Sequence, residues 1–189
     1  MSRLLDETPI HKRIILDLCA GTGAWSQPYL EAGYDVRRVT LPEQDVSTYC
    51  PPEQYWGVLA APPCTEFAVS GARWWAQKPS YLLSDALRVV EVCLQIASRA
   101  EAWWALENPV GRLRHYIGPP VMYFDPCDYG DPWTKRTCLW GRFTAPKQSP
   151  VHATEFWGWH KLGGKSERTK RLRSITPPGF ARAFFEANP

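Results

Sequence analysis

No stretch of the chain approaches the ~20 consecutive apolar residues that a bilayer-spanning helix needs, so no membrane partner is expected. The opening segment, Met1 to Arg13, lacks the apolar core of a secretion signal, which points to a cytoplasmic protein. Six cysteines (19, 50, 64, 93, 127 and 138) include no Cys-x-x-Cys pair, so they read as reduced thiols and not as a disulfide framework. No Cys/His cluster has zinc-like spacing, and no metal is expected. Internal repeats and low-complexity segments are missing too. What the chain does have is tryptophan, ten in 189 residues, and eighteen prolines that imply many rigid turns. Its 44% hydrophobic and 22% charged residues are ordinary for a globular protein, and its length suits one α/β domain with a single core.

The net charge of +3 hides an asymmetry. Between Lys161 and Arg173, six basic residues (Lys161, Lys165, Arg168, Lys170, Arg171 and Arg173) face one acid, Glu167. That segment carries +5 and leaves −2 for the rest. A compact basic cluster suits phosphate contacts; a solvated charged loop is the other reading.

Strand and helix signals alternate along the first half. Arg13–Leu18 is a short aliphatic run ending in a glycine-rich turn, and Trp25–Ala32 has helical spacing up to a stop at Gly33. Val36–Leu41 and Gly57–Ala61 predict two further strands, the second closed by Pro62-Pro63. Leu83, Leu87, Val90, Leu94 and Ala97 recur at three- and four-residue intervals, which predicts a helix over Tyr81–Arg99 with Ser80 and Ser84 near its N-cap. Ala102–Leu106 reads as a buried strand, Val121–Phe124 and Thr137–Trp140 as a hairpin-like pair, and Pro178–Ala187 as a final amphipathic helix. The stretch 142–173 has no clear periodicity and reads as a long loop or small insertion. Strand, helix, strand repeated in this way predicts an α/β fold, a mostly parallel sheet with helices on both faces. Such sheets bind ligands at the carboxyl ends of their strands.

Three motifs fall at those ends. Asp17-Leu18-Cys19-Ala20-Gly21-Thr22-Gly23 places glycines where a backbone must turn sharply and approach a ligand, and the following helix offers free N–H groups to an anionic group. A dinucleotide fingerprint needs a third glycine, where Ser26 stands, so a mononucleoside-type cofactor fits better. An ordinary strand–helix turn would look the same. Pro62-Pro63-Cys64-Thr65-Glu66-Phe67 projects a thiol from a loop stiffened by two prolines. A soft thiolate suits addition to carbon 6 of cytosine, which breaks aromaticity and makes carbon 5 electron-rich. Taken alone, Cys64 would more often be a structural cysteine. Glu107-Asn108-Pro109 ends a tryptophan-rich strand. A carboxyl group with a raised pKa there would hold ring nitrogen 3 and the exocyclic amine of cytosine. Glu107 could equally cap a helix over Gly111–Tyr116.

In this order and spacing, the three motifs resemble the DNA cytosine-5 methyltransferase family, and the match covers most of the chain. The resemblance implies an S-adenosylmethionine-dependent enzyme of Rossmann-like methyltransferase fold in one domain, 1–189, acting on duplex or single-stranded DNA. It implies cofactor contacts from Asp17, Cys19, Ala20, Gly21, Thr22, Gly23 and Trp25, from Thr40, Leu41, Asp45 and Val46, and from Pro62. Cys64 beside Pro63 would be the nucleophile, Glu107 with Asn108 the base-holding pair, and Lys135 or Arg136 the cation that steadies the flipped base. Tyr129 to Thr137 is similar to the family's Tyr-Gly-x-Pro-Gln-x-Arg-x-Arg segment, and Thr176 to Ala181 to the C-terminal segment that completes the cofactor pocket.

The chain departs from that pattern in four places. Thr40 stands where an acid on the ribose hydroxyls is expected, with Glu43 near enough to substitute. Trp133, Lys135 and Thr137 replace the family's glutamine and two arginines. Thr65-Glu66 replaces Gln-Gly and puts a carboxylate beside the nucleophile, which would raise the thiol pKa unless a cation such as Arg73 answers it. Last, 142–173 stands where the family carries a larger target-recognition domain. Phe156, Trp157, Trp159 and His160 lie there beside the basic cluster, as an aromatic wedge or as a satellite core. Such reduction suits a phage or mobile element in a bacterial host. Cytosine in RNA, or a free pyrimidine nucleotide, would need no duplex-reading domain. A non-catalytic nucleic-acid binder is the third reading, and retention of both Cys64 and Glu107 argues against it.

Overall fold

The computed structural model describes residues 8–156 and 167–189. Its main sheet is built from β1 (Ile14–Leu18), β2 (Asp35–Val39), β3 (Gly57–Ala60), β4 (Trp103–Pro109), β5 (Met122–Phe124) and β7 (Thr137–Arg142), in the order β2-β1-β3-β4-β7-β5. The first four run parallel; β7 enters antiparallel between β4 and β5. The helices are α1 (Gln27–Glu31), α2 (Ser80–Ala97), α3 (Arg114–Ile117), α4 (Glu167–Ser174) and α5 (Pro178–Ala187). A two-stranded parallel ladder joins β6 (Trp133–Thr134) to β8 (Glu155–Phe156). The predicted α/β class is therefore what forms, a Rossmann-like sheet.

Alternate side chains of each strand feed opposite cores, as the period of two requires. Leu16, Leu18, Val58, Ala60 and Leu106 pack with Val90, Cys93 and Ala97 of α2 on one face. Ile15, Leu59, Ala105 and Leu139 pack with Tyr29 of α1 and Phe180 and Phe184 of α5 on the other. The second core is aromatic, with Phe124 stacked on Phe180 at 3.9 Å and Trp103 edge-on to Phe184 at 5.6 Å. Burying each such ring contributes roughly 1.5–3 kcal/mol, so α5 docks firmly.

Some boundaries differ from expectation. β4 runs on to Pro109 because β7 supplies a ladder as far as Thr137 opposite Pro109. Glu107 and Asn108 thus lie inside the strand, not after it. At the start of α2 the N-cap position is Pro79 with no side-chain cap, and Ser84 bonds back to the Ser80 carbonyl. The stretch 142–173, expected as a long loop or small insertion, contains β8 and most of α4 among the described residues.

Candidate active site

Strands β1 and β3 are neighbours whose chains leave in opposite directions, β1 towards β2 and β3 towards β4. That switch point is where an open sheet leaves a crevice beyond its carboxyl ends. The glycine turn after β1 fills its floor. Cys19, Gly21 and Gly23 adopt φ of 55°, 54° and 70°, the left-handed region that only glycine enters without cost. Thr40 answers the Gly21 N–H through its hydroxyl at 3.2 Å. Arg38, which the sequence did not single out, braces the turn from behind. Its guanidinium donates to the Gly23 carbonyl at 3.0 Å, the Ser26 hydroxyl at 3.0 Å and Gln27 at 2.9 Å. Asp45 is exposed, six residues past β2, and accepts from the Ser47 N–H at 2.8 Å; Val46 beside it is buried. Leu41 is exposed and Pro62 buried. Trp25 departs from the expected cofactor set: it is 2% exposed and packs against Phe180 and Phe184, so its ring belongs to the aromatic core.

Asp17 is buried at the end of β1, and its Oδ2 has no hydrogen-bond partner. Burial pushes its pKa up to about 6 against the pull of the Ser26 hydroxyl and the Arg38 charge. The unfolded chain gives up this proton near pH 3.8 and the folded chain near 6. Stability therefore falls as pH rises through that window and stays lower above it. Asp17→Asn is expected to be more stable than the parent at pH 7 by about 2–3 kcal/mol, with the gap closing towards pH 4. Urea unfolding across that range reads the difference; an unchanged gap at both ends refutes the assignment.

Cys64 lies in the loop after β3 and Glu107 in the neighbouring strand β4, and the Glu107 charge acts on the thiol. Burial raises the Cys64 thiol and the Glu107 carboxylate raises it further, whereas Lys135 and Arg173 pull it down. Burial likewise raises Glu107, against the charge of Lys135. Lys135 thus acts on both groups, with its Nζ donating to the Arg173 carbonyl at 2.9 Å. Arg136 does not join them. It pairs with Asp125 at 3.1 Å and lies 5.6 Å over the Tyr123 ring. Thr137 is buried and donates to the Lys135 carbonyl at 2.7 Å, which pins that turn of chain. Asn108 donates to the Pro62 carbonyl at 3.0 Å, tying β4 to the Pro-Pro-Cys loop. Pro63 is exposed beside the thiol. Arg73, expected to answer Glu66, instead lies 5.0 Å over the Trp74 ring. Lys78 and Arg112 take that role.

Asp131 accepts from the Gly179 N–H at 3.0 Å, which joins the Tyr129 segment to the start of α5. Ser174, the last residue of α4, stands near the glycine turn, 3.6 Å from where a Gly21 Cβ would be. The basic helix α4 therefore ends at the crevice, carrying Arg168, Arg171 and Arg173; Lys170 is on it too. Trp157, Trp159, His160, Lys161 and Lys165 lie outside the described residues.

No protein-family model matches the chain, and no curated protein is similar to it in sequence. Among solved structures it is similar to EhMeth, a methyltransferase of Entamoeba histolytica, at 11% identity over 82% of this chain and 61% of that one, with a TM-score of 0.43. A mutant of Spodoptera frugiperda DNMT2 is similar at 15% identity over 82% and 60%, with a TM-score of 0.42. The methyltransferase domain of METTL16 is similar at 15% identity over 74% and 76%, with a TM-score of 0.37. The chain spans about six-tenths of the length of the first two.

Proposed function

We propose that the chain is an S-adenosylmethionine-dependent methyltransferase acting on carbon 5 of cytosine in DNA, with Cys64 as nucleophile. The observation that carries this reading is that Glu107 and Lys135 both act on the Cys64 thiol, and Lys135 on Glu107 as well. The cofactor's chemistry suits the crevice. A buried carboxylate with an unpartnered oxygen, Asp17, fits a cationic amino-acid head, and exposed Asp45 fits an adenine amine. Residues 19–23, Thr40, Leu41, Val46 and Pro62 would complete the binding surface. When bound, the cofactor supplies an electrophilic methyl group.

The remaining work falls to the chain. Lys135 favours the thiolate of Cys64, which adds to carbon 6 of the ring. Burial favours the protonated form of Glu107; that form gives its proton to nitrogen 3, so the incoming charge is neutralised and carbon 5 becomes nucleophilic. Once carbon 5 carries the methyl group, it loses its proton to solvent. Cys64 then leaves as thiolate, nitrogen 3 returns its proton to Glu107, and the ring is aromatic again. The region 142–173 takes the place of a larger recognition domain, with α4 presenting cations to phosphate.

5-Fluorocytosine tests this directly, because fluorine cannot leave as the proton does and the thiol adduct is trapped. With S-adenosylmethionine present, duplex or single-stranded DNA carrying it is expected to give a denaturant-stable complex. An adduct formed only with RNA or with the free nucleotide would move the substrate accordingly. No adduct with any of the four, while cofactor still binds, rejects the mechanism. Phosphate binding by α4 has its own readout. Arg168→Gln and Arg171→Gln are each expected to weaken DNA binding evenly across sequences. Each should also reduce the slope of log K against log salt by about 0.9 for every phosphate no longer neutralised. Unchanged slopes would place the phosphates elsewhere.

A further inference from the structure

The family resemblance gives no role to Glu66, yet in this chain it is the most heavily bonded residue of the nucleophile loop. It is 8% exposed, and its Oε1 receives the Lys78 ammonium at 2.6 Å. The same ammonium donates to the Thr65 carbonyl at 3.3 Å. Arg112 donates to the Glu66 carbonyl at 2.7 Å and holds its guanidinium 3.9 Å from Oε2. That guanidinium in turn lies 4.4 Å over the Trp75 ring.

These contacts have a geometric result. Lys78 follows the 3-10 segment Val69–Gln77, so its bond to Glu66 closes residues 66–78 into a loop with one neck. Arg112 fastens the neck to the chain just past Glu107. There the Arg112 N–H donates to the Phe67 carbonyl and the Val69 N–H to the Val110 carbonyl, each at 2.9 Å. Ala68 and Gly111 are bridged, and a Cβ on Gly111 would stand 1.8 Å from the Phe67 oxygen. The backbone of Cys64 belongs to the same unit, since its carbonyl accepts from the Phe67 and Ala68 N–H groups at 2.9 Å.

We propose that Glu66 is a positioning residue for Cys64: its buried carboxylate, bonded to Lys78, and its carbonyl, bonded to Arg112, hold the thiol against Glu107 and Lys135. The proposal rests on the reading of Cys64 as nucleophile. A carboxylate two residues from the thiol then serves to fix the loop, because its charge is answered locally by two cations. The Lys78 contact is short and charge-assisted, and removing it leaves a buried carboxylate answered only by Arg112 at 3.9 Å.

Alkylation of Cys64 by iodoacetamide, followed residue by residue by mass spectrometry across pH, reads the thiol without any methyl transfer. A wild-type protein inactive on cytosine would therefore leave this test standing. In Glu66→Gln and in the milder Lys78→Met, the alkylation midpoint is expected to fall towards the ordinary thiol value of ~8.5. The rate near neutral pH should rise severalfold as Cys64 leaves Glu107. On a methylatable substrate, kcat should drop by ~10-fold or more with KM for S-adenosylmethionine unchanged, Lys78→Arg should recover most of it, and the double variant should be no worse than either single one. A wild-type alkylation profile in both single variants overturns the proposal. So does a changed profile that comes with a matching drop in cofactor affinity and thermal stability in Lys78→Arg, since that pattern belongs to a merely structural contact.

Discussion

Cys64→Ala is expected to abolish methyl transfer, with a loss of ~10⁴-fold or more, and to leave the fold and cofactor binding intact. The size follows from the chemistry. Without a nucleophile on carbon 6 the ring stays aromatic, and carbon 5 has no electron density to offer. The survival of the fold follows from the structure. Hydrogen bonds anchor the Cys64 turn through its carbonyl, which an alanine keeps, and the half-buried side chain fills little volume. Three measurements together decide it: turnover, trapping on 5-fluorocytosine, and calorimetric binding of S-adenosylmethionine. A trapped adduct that persists in the alanine variant assigns the chemistry to another thiol.

Glu107→Gln separates two effects that usually move together. Turnover is expected to fall by ~10²–10⁴-fold, because an amide cannot give nitrogen 3 its proton. Alkylation of Cys64 is nevertheless expected to speed up near neutral pH. In its ionised form Glu107 is one of the groups that hold the thiol above its ordinary range, and glutamine, uncharged at every pH, never repels the thiolate. The sign is opposite to that of a general loss of structure, which would alter both readouts in the same sense. In the parent, kcat/KM against pH should be bell-shaped, needing an ionised Cys64 and a protonated Glu107, with limbs that belong to the pair. The variant should keep the rise and lose the falling limb, because only the thiol still titrates. A falling limb that persists in the variant, or slower alkylation, contradicts the coupling.

Lys135 and Arg136 show where reading the chain runs out. Both are cations in a segment similar to one that steadies a flipped base, and nothing local distinguishes them. In extended chain, successive side chains point to opposite sides. Once β7 pairs with β4 from Thr137 onward, one of the two turns towards Cys64 and Glu107 and the other towards Asp125 and Tyr123. The register of that antiparallel pairing, made with a strand about thirty residues earlier, takes the decision. Trp25 fails for a similar reason: its place next to the glycine turn suggests a ligand, but α5 arrives from the far end of the chain and covers it.

The sequence by itself determined the elements whose residues repeat with a period of two or near 3.6. β1, β3, α2 and α5 formed where their apolar spacing put them, give or take a residue or two. It also singled out Asp17, Cys64 and Glu107 as candidates, since they are polar or reactive side chains at the ends of apolar runs. Periodicity and composition are local properties, and they are enough for that. Tertiary structure alone decided the partners. Glu66 finds Lys78 twelve residues on and Arg112 forty-six residues on, Asn108 reaches back to Pro62, and the Arg38 guanidinium wraps the glycine turn from the next strand. Such contacts depend on where the sheet brings distant segments together, which no window of sequence contains. The raised pKa values of Asp17, Cys64 and Glu107 arise in the same way, because burial exists only after the two cores have closed on the sheet.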